Sequence, residues 1–183
     1  MIERLRTDEG GMGLVELIFA MAILNIVVLA MFGAFNAGQL SIQRAARTST
    51  AETMADKQLE LYRAQVYSTI GLSSSLITAA AADATHTGES AWVSSGSQLA
   101  YASCTTSAPE CQPVQTNVTG PDGRLYRMDT FIRTLTSASG GPTSGRDVKR
   151  VTVVVRRQTT GQVLSRLSTT FDKATGCVSP NPC

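Results

Sequence analysis

Histidine is nearly absent from this chain: among its 183 residues, His86 is the only one. Histidine often activates a catalytic cysteine, and it is a common zinc ligand. His86 stands in a stretch rich in serine, threonine and alanine with no cysteine beside it, so nothing indicates partners for either kind of site. We therefore predict that the protein is not an enzyme, that it has no cofactor or metal, and that His86 lies exposed in a loop.

A strong charge of either sign is also missing, since 16 lysines and arginines against 14 acidic residues leave a formal net charge of +2. Such a balance gives no support for a nucleic-acid partner. DNA or another anionic polymer could still contact the densest basic group. We favour a solvated strand face for this group, which consists of Arg146, Lys149, Arg150, Arg156 and Arg157.

Cysteine is absent before Cys104, and all four cysteines lie in the C-terminal half, as Cys104, Cys111, Cys177 and Cys183. Their spacings match neither the close CxxC pairs of zinc and redox sites nor a haem motif. Two structural disulfides are the economical interpretation, and we favour local pairing, 104 with 111 and 177 with 183, over the two crossed alternatives. Because disulfides persist in oxidising compartments, this part of the chain is expected outside the cytoplasm.

The chain does contain one long apolar run, from Leu17 to Phe35, whose only clearly polar member is Asn25. As a helix rising about 1.5 Å per residue it would be roughly 28 Å long, close to the hydrocarbon thickness of a bilayer. We predict a membrane-spanning helix. A secretory signal peptide is the alternative; its apolar stretch is usually shorter, although the residues from Ala34 to Gly38 could imitate a cleavage site.

A carboxylate stands at the mouth of this run, because residues 11 to 16 read Gly-Met-Gly-Leu-Val-Glu. Carboxylates within spanning helices disfavour insertion, so they tend to pair or to serve a function. This junction resembles that of the type IV pilins and the pseudopilins of type II secretion. The resemblance implies that a prepilin peptidase cuts between Gly11 and Met12 and N-methylates Met12.

The same resemblance gives Glu16 a role in assembly, as the fifth residue of the mature chain. Its carboxylate would neutralise the new α-amino group of Met12 on a neighbouring subunit. Otherwise Glu16 simply sits in the headgroup layer near the positive end of the helix dipole, which needs no partner protein. We favour the assembly role, since the glycine stands at the required offset.

Beyond the apolar run, the sequence predicts that the helix continues to about Val66. One apolar stripe of this continuation consists of Ala51, Ala55, Leu59, Tyr62 and Val66. Charged residues lie opposite it. Residues 68–108 are dominated by small and polar side chains, which predict loops that cover little of the stripe. Within this region we expect only a short helix over residues 74–82 and a weak strand near Trp92 or Leu99.

The C-terminal third predicts three half-buried antiparallel strands, over residues 124–135, 148–157 and 163–171. Their inward rows are Tyr126, Met128, Thr130 and Ile132; then Val151, Val153 and Val155; then Val163, Leu167 and Phe171. The outward positions of the first two strands are polar or charged. Helix and sheet can therefore bury their apolar faces against each other.

The predicted fold class is α+β, with a long N-terminal helix, membrane-spanning in its first half and amphipathic in its second, packed against a small antiparallel sheet. This is also the architecture of the pilin family. The predicted segments are a leader peptide (1–11), a transmembrane or filament-core half-helix (12–36), an amphipathic half-helix (37–67) and a globular head (68–183).

The resemblance implies a structural subunit, made as a single-pass membrane protein with an extracytoplasmic head and then assembled into a pilus or pseudopilus at the cell surface or in the periplasm. Its partners would be other pilin subunits, the prepilin peptidase and the cytoplasmic membrane before assembly. Gly33, where many major pilins carry proline, favours a minor pilin. The alternative is a membrane-anchored extracytoplasmic binding domain that never polymerises; an exported hydrolase is a weaker third.

Overall fold

In a computed structural model of the protein, the described residues are 13–135 and 148–173. They form helices α1 (Leu14–Arg63), α2 (Ser74–Ala80) and α3 (Ala84–Thr87), and strands β1 (Val114–Thr119), β2 (Leu125–Leu135), β3 (Val148–Arg157) and β4 (Val163–Asp172). Residue contacts divide the chain into an N-terminal unit, residues 1–45, and a C-terminal unit, residues 46–183. The α+β class predicted from the sequence is confirmed.

Helix α1 begins at Leu14, close to the predicted start, and runs for 50 residues. Its sequence contains no proline, so no residue removes a backbone donor or clashes with the preceding turn. Gly33 and Gly38 lie inside it and cost some local stability, but they do not interrupt it.

Within the C-terminal unit, α1 buries one stripe, at Ala51, Met54, Ala55, Gln58, Leu59 and Tyr62. The prediction is confirmed at Ala51, Ala55, Leu59 and Tyr62. It is wrong at Val66, because the helix ends at Arg63 and the backbone at Val66 is already extended, which leaves that side chain 56% exposed. The charged face is confirmed as solvated, with Arg63 pairing with Glu60 and lying 3.7 Å from Asp56.

The four strands lie in the order β1-β2-β3-β4, and every neighbouring pair is antiparallel. The three predicted strands are confirmed. Tight turns at Gly123 (φ 71°) and Gly161 (φ 67°) use the left-handed backbone conformation that glycine adopts without strain. Strand β1 was not predicted, because Gln115, Thr116 and Asn117 interrupt any alternation and the register shifts between Gln115 and Val118.

One face of the sheet, the inner face, packs on α1. The predicted rows of β2 and β3 are confirmed as buried. In β4, Leu167 and Phe171 pack against this core, but the expectation for Val163 is wrong, since it is 39% exposed and Leu164 packs instead. The cause is a bulge: Val155 pairs with Ser165 and Arg156 pairs with Val163, so Val163 shares the opposite face with Arg156.

The segment from residue 68 to 108 contributes more to the core than its composition predicts. The short helix is confirmed as α2, but Ile70, Leu72 and Ile77 are buried in the main cluster together with the α1 stripe. Leu72 also forms a parallel bridge with Ala100, where the Leu72 N–H donates to the Leu99 carbonyl at 2.9 Å. This segment therefore closes the core beside α1.

Candidate functional site

Glu16 lies in the first turn of α1, with an exposed side chain. The Gly13 carbonyl accepts hydrogen bonds from the backbone N–H groups of Glu16 (2.9 Å) and Leu17 (3.2 Å), which starts the helix at that point. The positive end of the helix dipole favours a carboxylate here. No cation among the described residues pairs with Glu16, so its carboxylate is open to a partner. Gly11 and Met12 lie outside the described residues.

In the described part of the N-terminal unit, residues 13–45, the large apolar side chains are exposed, from 41% at Val28 to 75% at Leu14. Of the helices in the described ranges, α1 alone is long and apolar enough to cross a membrane. The Asn25 side chain donates to the Met21 carbonyl at 2.9 Å and is therefore satisfied inside its own helix. An extended apolar surface of this kind needs a lipid or protein environment.

The disulfide between Cys104 and Cys111 is present, as predicted. It closes a short loop that supplies two acceptors to α1: the Gln58 amide donates to the Pro109 carbonyl at 3.0 Å, and the Tyr62 hydroxyl donates to the Glu110 carbonyl at 2.6 Å. Burial raises the pKa of Tyr62, so this hydroxyl stays protonated and keeps its donor. The predicted pair Cys177 and Cys183 lies outside the described residues.

The prediction for His86 is wrong, because the side chain is fully buried. Its ring stacks on Phe131, with centroids 4.3 Å apart, and meets Trp92 edge-on at 5.2 Å. The Nδ1 atom lies 3.2 Å from Asp129 Oδ1. His86 is placed by α3, whose N-terminal cap Asp83 accepts from the Thr85 and His86 backbone N–H groups.

The second face of the sheet, the outer face, carries a buried ion network around Asp129. Arg127 contacts the carboxylate of Asp129 at 2.8 Å, and Arg156 contacts it at 3.0 Å. Arg127 also pairs with Asp83 at 2.8 Å, while Glu89 pairs with Arg156 and with Arg166. Three carboxylates and three guanidinium groups thus join residues 83–89 to the sheet.

Two carboxylates of this network, Asp129 and Asp83, have pKa values below the usual range. Burial alone would raise the pKa of Asp129, but the hydrogen bonds from His86 and Arg127 and the charge of Arg127 outweigh it and leave the pKa below its usual value. Asp83 behaves in the same way: burial opposes ionisation, and the Arg127 and backbone hydrogen bonds lower its pKa. Both carboxylates are therefore held as anions.

Acid is expected to loosen this network. Because the folded-state pKa values of Asp129 and Asp83 lie below the unfolded value of about 3.9, their contribution to stability is complete above pH of about 5 and is lost as the pH falls below about 4. Urea unfolding midpoints measured between neutral and acid pH should fall in that window, and an Asp129→Asn variant should show a shallower fall. A midpoint that is constant down to pH of about 2.5 would contradict the assignment.

The predicted solvated basic face is also corrected. Lys149 and Arg156 are buried: Arg156 belongs to the ion network, and the Lys149 ammonium donates to the carbonyls of Tyr67 (2.6 Å) and Ile70 (2.9 Å). Arg150 is exposed and Arg157 half-buried, while Arg146 lies outside the described residues. The five residues therefore do not act as one surface.

The sequence did carry a signal for the outer face that its interpretation missed. Arg127 and Asp129 alternate on β2, and Arg156 near the end of β3 pairs with Arg127, so the carboxylate of Asp129 lies two residues along the same face from both arginines. Asp83, His86 and Glu89 follow one another at three-residue spacing, which suits one side of a helical turn. Across the described part of the chain, no group of three or more His, Cys, Asp or Glu side chains could hold a metal ion.

Comparisons with known proteins add no relative to this description. No protein-family model matches the chain, and neither the curated proteins nor the solved structures contain a significant match.

Proposed function

We propose that this protein is a type IV pilin-like structural subunit, cut between Gly11 and Met12 and assembled through α1 into a pilus or pseudopilus, where it serves as a minor pilin. The observation that carries the proposal is the helix itself. It begins two residues after Met12, bears Glu16 in its first turn, and leaves its apolar surface exposed as far as the described part of the N-terminal unit extends, residues 13–45.

The exposed apolar surface of α1 supports a transfer of this helix from the bilayer into a filament, since both surroundings are apolar. Before assembly, a bilayer would cover these side chains; in a filament, the helices of neighbouring subunits would replace the lipid. Ala30, Ala34 and Gly38 recur at four-residue spacing, and small side chains at such positions let neighbouring helix backbones approach closely.

The carboxylate of Glu16 supports an ionic contact within that assembly. It is exposed, it has no ion-pair partner in the described ranges, and a low-dielectric surrounding would strengthen its attraction to a cation. Cleavage after Gly11 would create such a cation, the α-amino group of Met12, on each subunit. The disulfide at Cys104 supports exposure of the C-terminal unit to an oxidising compartment.

Two substitutions separate the roles in processing and assembly. Gly11→Ala is expected to abolish cleavage, so that the chain keeps Met1 and stays in the membrane. Glu16→Ala is expected to be cleaved normally but not recovered in sheared filaments. Both cleavage and assembly are measured by immunoblots of membrane and filament fractions. The cells used must contain their own prepilin peptidase and pilins.

Each variant has a matched control. Gly10→Ala tests the neighbouring glycine and should still be cut after Gly11. Glu52→Ala removes an exposed carboxylate from the same helix and should assemble normally. Cleavage of Gly11→Ala, or filaments of normal yield from Glu16→Ala, would favour a membrane-anchored domain that does not polymerise.

A further inference from the structure

The two edges of the sheet differ in their protection against pairing with a further strand. At one edge, β1 is six residues long and its register shifts between Gln115 and Val118. Asn117, within that irregularity, has a positive φ of 57°. Short length and bulges discourage another chain from adding a strand, so the β1 edge is protected.

The opposite edge, β4, has no such protection. It is ten residues long, and its register shift lies near its start, so residues 165–172 pair regularly with β3. Its sequence contains neither proline nor lysine, two residues that often blunt an edge. Among the described residues, no strand pairs with its far side. A long and regular edge of this kind presents a row of backbone N–H and C=O groups to another chain.

The inner row of β4 is also only partly covered. Leu167, Thr169 and Phe171 are half-buried, whereas Val153 and Val151, which lie opposite Leu167 and Thr169 on β3, are fully buried. Leu167 and Phe171 pack against the main core on one side. A further strand beside β4 would cover their other side.

The charges of β4 match when the strand pairs antiparallel with a second copy of itself. With Thr169 opposite Thr169, Arg166 of each copy lies opposite Asp172 of the other. These are the two charged residues of the strand, and opposite charges placed directly across from each other stabilise paired strands. In the same register Leu167 lies opposite Phe171, so the apolar rows also join. The next register that keeps each face intact loses both matches.

We propose that two copies of this protein associate through their β4 strands, antiparallel and centred on Thr169, so that one sheet continues across both copies. Backbone hydrogen bonds form along the edge, and the contact between Arg166 and Asp172 occurs twice by symmetry. Arg166 is accessible for it: the side chain is 47% exposed although it pairs with Glu89, and a guanidinium group has five donors. The contact uses the C-terminal unit alone and does not rest on the proposed function.

Cysteine crosslinking of the full-length protein, in an excess of neutral detergent and under mild oxidation, tests this contact. In the proposed register the two Cα atoms at position 169 are about 5 Å apart, a distance that a disulfide can bridge. Thr169→Cys is therefore expected to form a covalent dimer. Thr116→Cys, which places a cysteine at an exposed position of β1, measures random collision and should stay monomeric. The parent protein controls for the native cysteines.

Two neighbouring positions make the test specific for the register. Ser168 of one copy lies opposite Thr170 of the other, whereas each of these residues lies diagonally across from its own counterpart, at about 7–8 Å. Disulfides do not form when the Cα atoms are more than about 7 Å apart. A mixture of Ser168→Cys and Thr170→Cys chains is thus expected to give several times more covalent dimer than either chain alone.

Asp172→Arg provides an independent check that needs no crosslink, because it places like charges opposite each other at both ends of the contact. The dissociation constant of the dimer, measured by sedimentation equilibrium in the same detergent, should rise about ten-fold or more. Glu52→Arg makes the same change of charge at an exposed position of α1 and should leave the constant unchanged.

Three results would each overturn the proposal. Thr169→Cys might crosslink no more than Thr116→Cys, the mixture might give no more dimer than its separate chains, or Asp172→Arg might associate as tightly as Glu52→Arg. A monomer in every sample would do the same, whether residues 174–183 of the same chain cover the edge or nothing does. None of these results depends on whether the chain forms a filament.

Discussion

An Asp129→Asn variant is expected to lose about 3–5 kcal/mol of folding free energy, the usual cost of removing one partner from a buried ion pair. Asp129 is completely buried and faces both Arg127 and Arg156 at 3.0 Å or less. Asparagine keeps the shape of the side chain but not its charge. Two largely buried guanidinium groups would then lack their central anion.

The measurement is the free energy of unfolding of the full-length protein in neutral detergent, from urea titrations followed by near-ultraviolet circular dichroism. Asp56→Asn is the matched control: Asp56 is exposed and lies 3.7 Å from Arg63, so its loss should cost less than about 1 kcal/mol. Equal losses for the two variants would show that the outer-face network contributes no more than a surface pair.

Removal of the disulfide, by Cys104→Ser together with Cys111→Ala, is expected to cost about 2–3 kcal/mol, the loop-closure entropy of so short a ring. The position of the loop beside α1 adds to this loss of folding free energy. Without the crosslink, the carbonyls of Pro109 and Glu110 are less firmly held against Gln58 and Tyr62. Alanine at position 111 avoids burying a new hydroxyl where Cys111 is 6% exposed.

Comparison of this variant with the parent under oxidising conditions isolates the bond between Cys104 and Cys111. Because the variant already lacks this bond, any further loss of unfolding free energy that a reductant causes in the variant does not come from this loop. An unfolding free energy within about 0.5 kcal/mol of the parent would indicate that the loop is held by its side-chain contacts alone.

The parts of the fold that follow from simple periodicity were predictable. Alternation alone identifies β2 and β3 with their inner rows, and helical spacing identifies the buried stripe from Ala51 to Tyr62. Both patterns report burial of one face by apolar residues, which is the strongest local signal a sequence contains. The local disulfide followed from cysteine spacing.

The outer face was missed because its burial is ionic. A buried arginine looks in the sequence like a solvated one, and only the arrangement of strands and α3 shows that Asp129 lies between Arg127 and Arg156. His86 was misplaced because its main ring contact, Phe131, comes from a distant part of the chain and joins the nearby Trp92 in covering it. Val163 was misplaced by a bulge, which shifts a strand by one residue without a local signature.

Glu16 is the part of the candidate site that the sequence indicates most directly, because motif and chain position suffice to identify it. Its exposed position in the first turn of α1 is compatible with an assembly contact.

The intact mass of the protein extracted from the membrane of cells that carry a prepilin peptidase tests the central claim most directly. The proposed function predicts a chain that begins at Met12 and carries one added methyl group at its N-terminus. A chain that still begins at Met1, or one that begins near residue 38 after removal of the apolar segment, would contradict it.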